Sequence, residues 1–415
     1  MTDETRTESS ATAGVMYMAL ELSASEWLVA FGDGTVRKAR RVKVDAGELG
    51  QLEREIVAAK RKLGLGADAK VVSCYEAGRD GFWIHRALEK AGVENHIVEA
   101  SSIEVTRKFR RAKTDAIDVD VLLRMLARFK NGEERVWRTL RIPTAADEDA
   151  RRPNRERDRL KKEITSIRNR MGGLLATEGL RLEPEDVKEL IASAKTRDGR
   201  TVGSNMKREL LRLHERLMLD MAQLRQLEAE QRELLKGQDE DRQARMIALL
   251  MCLHGIGLQG ATPLVTEFFA WREFKNRREV GALAGLTGTP YNSGGSERDQ
   301  GISKAGNKRV RQLLIELAWL WVRYQPESAI AQWFGKRWGG AGKRSKKVGI
   351  VAVARKLLIA LWHFLEHGVV PAGATLKPSP GVKKAMFAEV RERHDARSSA
   401  RLEGAKARVA PLALA

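Results

Sequence analysis

Ser293 stands in the stretch Gly285–Arg311, GLTGTPYNSGGSERDQGISKAGNKRVR, between Tyr291-Asn292 and Gly294-Gly295. An exposed hydroxyl flanked by glycines, with backbone N–H groups and positive charge close by, is what a serine attacking a phosphodiester requires. Six glycines and a proline at this density predict a mobile loop with no regular element before Lys304. From Lys304 onward Val310, Leu313, Leu314, Leu317 and Trp321 recur at helical spacing, with Lys304, Lys308 and Arg311 on another stripe. A Ser-Gly-Gly turn beside a solvated basic stripe satisfies the same residues without chemistry. Tyr291 and Ser296 are the neighbouring hydroxyls that could replace Ser293, and Arg298 is a further phosphate-binding candidate.

A second set of reactive residues is acidic. Asp115 and Asp118 lie three apart on a predicted helix, so they share a face, and like charges there destabilise a bare helix. A divalent cation would offset them, as would a solvated face beside the cations Arg107, Lys108, Arg110, Arg111 and Lys113. Asp120 is a reserve ligand. Glu21 ends the first predicted strand and Glu76 the fourth. Carboxylates at a first strand, a fourth strand and a late helix are the positions at which ribonuclease H-like nucleases hold two metal ions.

Elements that could place these residues follow from periodicity. Two short strands read at 15–31, a third at 36–44, a helix at 46–63, a strand at 69–77, a helix at 81–90 and a strand at 96–100. This order, β-β-β-α-β-α-β, is that of an α/β ribonuclease H-like fold. Residues 132–149 read as irregular. Residues 155–177 form a charged helix with Leu160, Ile164, Ile167, Met171 and Leu174 on one seam, and Pro153 suits its first turn. Residues 206–236 carry a heptad: Leu210, Leu217 and Leu224 at one position, Leu213, Leu227 and Leu234 at the other. The pair is a helical hairpin closed on itself or a coiled coil joining chains. Residues 246–269 read helix–turn–helix. Gly255 and Gly257 in the turn would let N–H groups approach a phosphate, as in a helix-hairpin-helix, or simply break the helix.

Beyond Pro326, Lys336, Arg337, Lys343, Arg344, Lys346 and Lys347 alternate with Trp333, Phe334 and Trp338. The composition predicts a flexible backbone-binding arm, its aromatics stacking on bases or serving as core. The apolar run Val348–Leu365 is interrupted by Arg355 and Lys356 and reads as an amphipathic helix, not a membrane span. The chain carries 75 Lys+Arg against 55 Asp+Glu, a formal charge of +20, which points to a polyanion, with nucleic acid foremost. Cys74 and Cys252 are too few for a disulfide framework or zinc site and suit a reducing cytosol and core packing. The polar N-terminal residues 1–14 are unlike a signal peptide, and both they and the stretch after Pro371 lack periodicity.

YEAGRDGFW around Glu76, KTDAID at 113–118, the LHGIG turn, and AGLTGTPYNSGG with GISKAGNKRVRQLL together resemble the IS110 insertion-sequence family of transposases. The resemblance spans residues 15–367. It implies a RuvC-like DEDD domain (15–130), a coiled coil or helical hairpin (131–240) and a mostly α serine-bearing domain (241–370), between tails at 1–14 and 371–415. It further implies magnesium at Glu21, Glu76, Asp115 and Asp118, and Ser293 attacking the scissile phosphate. Homo-oligomers with half-sites from different chains, DNA substrates, a structured non-coding guide RNA and action at the bacterial nucleoid are likewise implied. The family's first acid is usually Asp, and here it is Glu21. Two rival readings are a RuvC-like junction nuclease in which water attacks, and a non-catalytic architectural nucleic-acid binder.

Overall fold

The structure is a computed structural model that describes residues 14–35, 39–104, 115–133, 135–233, 241–293 and 296–377, with the backbone alone for 292, 293 and 296–299. Contacts divide the chain into two compact units, the first ending at Pro143 and the second beginning at Thr144.

The first unit is a five-stranded mixed sheet with helices. Its elements are β1 (Val15–Leu22), β2 (Glu26–Gly32), β3 (Arg40–Asp45), α1 (Leu49–Leu63), β4 (Lys70–Glu76), α2 (Trp83–Lys90), β5 (Glu94–Val98) and α3 (Asp115–Lys130). The spatial order is β3-β2-β1-β4-β5. β1, β2 and β3 run antiparallel as a meander; β4 lies parallel to β1 and β5 parallel to β4. The central strands are buried on both faces, which is why MYMAL and VVSCY read as continuous apolar runs. Met16, Met18, Leu20 and Tyr75 join one core with α1 and α2 residues such as Leu52 and Ile84. Tyr17, Ala19, Val72 and Cys74 join the other with Val119, Leu122 and Leu126 of α3.

The second unit is almost wholly helical. Residues read as irregular contain the short helix α4 (Ala145–Asp149), started by a capping box in which Thr144 and Asp147 exchange hydrogen bonds. α5 (Arg152–Thr177) has its proline in the first turn as expected and packs against α7 (Ser204–Glu233), with α6 (Val187–Leu190) between them in sequence. Ile164, Ile167 and Met171 are buried against Leu210, Leu213 and Leu217, and Leu160 on the same seam is buried as well. The heptad leucines up to Leu217 are therefore consumed inside one chain; Leu224 is partly buried on the same core, and Leu234 lies outside the described residues.

A second core joins α8 (Arg242–Met251), α9 (Leu258–Leu264), a π-helical turn (Val265–Phe269), α10 (Arg277–Leu283), α11 (Lys308–Tyr324), α12 (Ala329–Trp338) and α13 (Lys343–His367). α13 is long and apolar enough to cross a membrane by composition, but its residues Ile350, Val353, Leu357, Leu358 and Leu361 are buried in this core. The flexible arm expected after Pro326 is instead α12 and the start of α13. Phe334 is buried, Trp338 stacks on it with ring centroids 5.9 Å apart, and Gly349 leaves the space that Trp338 fills. Trp333, Phe334 and Trp338 pack on the core, while Lys336, Arg337, Lys343, Arg344 and Lys347 face solvent. Both cysteines are buried, and neither is in a disulfide among the described residues.

Candidate active site and nucleic-acid interface

The acids come first. Glu21 follows Leu20, which is paired with Tyr75 on parallel β4, so Glu21 and Glu76 lie near the C-terminal ends of neighbouring central strands. Alternation along each strand puts Glu21 on the face of Tyr17 and Ala19, and Glu76 on the face of Val72 and Cys74, which is the face α3 covers. Two contacts, with one weaker charge effect, fix the direction of α3. Asp115 raises the Lys43 ammonium pKa, after the larger effect of the Glu26 partner, and Lys43 shares a sheet row with Leu28 and Glu21. Asp120 is gripped by the Arg41 guanidinium, with Nε at 2.9 Å, one row pair further along. Leu123 lies over Gly32, the partner of Tyr17. α3 thus runs antiparallel to β1, and its first turn, with Asp115 and Asp118, sits at the end where Glu21 and Glu76 emerge.

All four acids therefore lie toward the same end of one face. Asp115 and Glu76 are exposed, Asp118 and Glu21 half-buried, and the Oε2 atom of Glu21 is shut off from solvent. Four carboxylates are a hard-oxygen set suited to magnesium. Among the described residues, no three Asp, Glu, His or Cys side chains close on a single point in this arrangement. Asp120, the reserve ligand, is committed to Arg41, whose pKa it raises. The cations Arg107, Lys108, Arg110, Arg111 and Lys113 lie outside the described residues.

The serine stretch corrects the sequence reading. It is a β-hairpin, β6 (Gly288–Ser293) and β7 (Ser296–Ile302), in which Ser293 pairs with Ser296 at the last rung and Tyr291 with Arg298 two rungs earlier. Glycines and proline broke the apolar pattern without breaking the ladder. A two-residue Gly-Gly connection is itself a hairpin signal, and Pro290 is tolerated because a two-stranded ribbon consists of edges. The register shift between Gly288 and Pro290 absorbs the missing donor.

The root of this hairpin is knotted to its supports. Ser303 donates to Thr287 O, Lys304 to Gly285 O and Asn307 to Leu283 O. A Cβ on Gly285 would stand 2.1 Å from Ala305 O, and one on Gly306 2.2 Å from Leu283 O; both glycines have positive φ. Lys304, expected as the first residue of the basic helix, lies before it in the left-handed region at φ 57°. α11 begins at Lys308, capped by the Asn307 side chain. Arg311, expected on a phosphate, sends Nη1 to Ala284 O at 3.2 Å, and burial lowers its pKa.

Gly255 and Gly257 do stand in a turn, leading into α9. Gly255, at φ 85°, lies against Leu320 O and Tyr324 of α11, so close helix packing explains it. Both line a cleft of about 1420 Å³ between α5, α9 and α11, together with Lys308 and Arg309. Its α5 wall, including Arg155, Arg157, Lys161, Lys162, Ser166 and Asn169, was not expected. The readable signal was a polar stripe at helical spacing opposite the Leu160–Met171 seam. Lys343, Arg344 and Lys347 are exposed at the start of α13, and Lys346 is half-buried.

A family model described as transposase of the IS116/IS110/IS902 family matches residues 247–332. A putative transposase, y4rJ, of Sinorhizobium fredii is 40% identical over 377 residues, covering 88% of this chain and 95% of that protein. The chain belongs to the IS116/IS110/IS902 transposase family. The transposase for insertion sequence element IS1328 of Yersinia enterocolitica is 26% identical over 66% of this chain and 78% of its own. A probable family 20 transposase of Pseudomonas aeruginosa is 26% identical over 72% and 84%. In this transposase the matched segment contains the knotted hairpin root, the hairpin and α11.

Proposed function

We propose that this transposase cuts and rejoins DNA through a covalent phosphoserine link, with Ser293 as nucleophile and magnesium held by Glu21, Glu76, Asp115 and Asp118. The observation that carries the reading is that these four acids lie toward the same end of one sheet face, in a chain whose family is transposases. Bound there, magnesium would polarise the scissile phosphate and neutralise charge as the nucleophile adds. The Ser293 oxygen bonds to phosphorus as the bond to the adjacent nucleotide oxygen breaks. The proton lost by serine is balanced by the one gained at the leaving oxygen. A hydroxyl of a second DNA end then displaces serine, so the phosphodiester bond energy is kept.

The sheet order and the meander followed by parallel strands support a ribonuclease H-like, RuvC-like unit. The charge of +20 supports a polyanionic substrate. Guidance by a structured non-coding RNA, assembly as a homo-oligomer with a coiled coil, and action on DNA in the bacterial cytoplasm rest on the family resemblance. A water-using junction nuclease is the second reading, favoured by the acids being complete within one unit.

A denaturing gel of protein incubated with magnesium and end-labelled DNA separates these readings. Label should remain with wild-type protein and be absent from Ser293→Ala. Cleavage with no adduct would establish the nuclease, and an adduct persisting in Ser293→Ala would move the nucleophile to Ser296 or Tyr291. Asp115→Asn and Glu76→Gln should abolish cleavage while leaving DNA binding in place, because phosphate contacts come from Lys and Arg.

A further inference from the structure

Three cations line the cleft between α5 and α11 without an ion pair among the described residues: Lys161 and Lys162 on α5 and Lys308 at the first residue of α11. The other cations there are already matched. Arg155 holds Glu267, Arg157 holds Glu228 at 2.9 Å, and Arg309 crosses from α11 to Asp158 of α5 at 3.0 Å. Of the carboxylates lining the cleft, only Glu316 lacks an ion pair among the described residues, so the three lysines leave surplus positive charge. Lys161, Lys162 and Lys308 are exposed, and Ser166, Asn169 and Gln312 add hydroxyl and amide groups to the same walls. Surplus cations with neutral donors on two facing helices are the chemistry that grips a phosphodiester backbone without reading its sequence.

We propose that this cleft holds the backbone of a DNA strand, with Lys161, Lys162 and Lys308 on successive phosphates. The choice of DNA rests on reading Ser293 as a DNA-attacking residue, and the link is direct in the fold. α11 begins two residues after Gly306, in the knot that roots the Ser293 hairpin, so Lys308 belongs to both the cleft wall and the hairpin base. A strand lying in the cleft meets the serine-bearing element at its root.

The test is fluorescence anisotropy of the full chain with a labelled 30-base-pair duplex DNA of arbitrary sequence, titrated across salt. An RNA duplex of the same sequence runs in parallel. The triple variant Lys161→Gln, Lys162→Gln, Lys308→Gln should bind the DNA at least tenfold more weakly. Each lost phosphate contact lowers the slope of log affinity against log salt by about 0.9, so the slope should fall by up to about 2.7. A charge-matched variant outside the cleft, Lys188→Gln, Lys195→Gln, Arg212→Gln, should keep wild-type slope and affinity within about twofold, with melting temperatures for both variants showing that they fold. Equal weakening in both variants, or a cleft variant that binds as wild type, overturns the proposal. A loss confined to the RNA duplex overturns the assignment to DNA. The titrations run without magnesium, so reversible binding is read apart from the Ser293 adduct, and the cleft and the nucleophile succeed or fail separately.

Discussion

Arg155 of α5 grips Glu267 of the π-helical turn through two hydrogen bonds of 2.7 and 2.9 Å, and the carboxylate it grips is only 3% exposed. Asn154, one residue earlier, donates to Thr266 at 3.1 Å, so the first turns of α5 are fastened to the helical core from which α11 also rises. Alongside, Arg272 lies 3.9 Å over the Trp271 ring with Arg151 on the same ring at 4.5 Å, and burial pushes the Arg272 pKa down to about 10. One buried carboxylate thus works among three arginines. Removing Arg155 leaves Glu267 buried without its clamp. Arg155→Ala should cost about 3 kcal/mol, the lower end for a broken buried pair because Arg155 is itself partly exposed. Chemical denaturation measures this, and the double variant with Glu267→Gln should recover part of the loss. Unchanged stability in Arg155→Ala would show that water replaces the guanidinium.

The hairpin root predicts opposite outcomes at two neighbouring residues. Gly306→Ala forces a Cβ to 2.2 Å from Leu283 O at φ 99° and should cost about 1–3 kcal/mol. Lys304→Gly removes a side chain from a left-handed residue and should be neutral or stabilising by up to about 1 kcal/mol. Melting curves of both variants check the pair. If Gly306→Ala melts as wild type, the knot is looser than its contacts imply.

Glu21 tests how far the acid set tolerates length. Glu21→Asp shortens the side chain by one methylene and restores the residue usual in the resembled family, so strand cleavage should survive. Glu21→Ala should abolish it. Normal cleavage by the alanine variant, measured on labelled DNA with magnesium, would place the first ligand elsewhere.

The α5–α7 hairpin separates internal packing from assembly. Leu217 is fully buried in its own chain's core, whereas Leu219 is 58% exposed on the same helix. Leu217→Asp buries a charge among leucines and should unfold the hairpin, seen as lost helicity by circular dichroism. Leu219→Asp should keep the helix content. If this face pairs chains, light scattering will report a smaller species for Leu219→Asp; an unchanged mass assigns assembly to another surface.

Much of the first unit was legible in its residues. Fully buried strands announce themselves as apolar runs, so β1 and β4 and the acids at their ends could be placed by counting, and the seam of α5 likewise. The Ser293 hairpin was not legible as an ordered element, because its strands hold glycine, proline and polar residues and gain their order from pairing with each other. The stretch beyond Pro326 misled for a different reason. Lys and Arg on the outside of α12 and α13 concealed Trp338 turning inward onto Gly349, a contact between residues on different helices. The cleft was beyond periodicity altogether: Arg155 and Glu267 are 112 positions apart, and Arg309 and Asp158 are 151 apart. Such distances enter a sequence only after the chain has folded back.

The paired strands β6 and β7 stand on a root tied by three backbone hydrogen bonds to residues 283–287, and this turns the hairpin into a ruler. Each added residue on both strands would carry Ser293 outward by about 3.4 Å, and each one removed would draw it in by the same step. Odd steps also turn the serine to the opposite face of the ribbon, so only changes of two residues per strand, about 7 Å, preserve its direction. Reach can be lengthened or shortened at the tip while the helical core beneath keeps its packing, and the distance from root to hydroxyl comes in discrete notches.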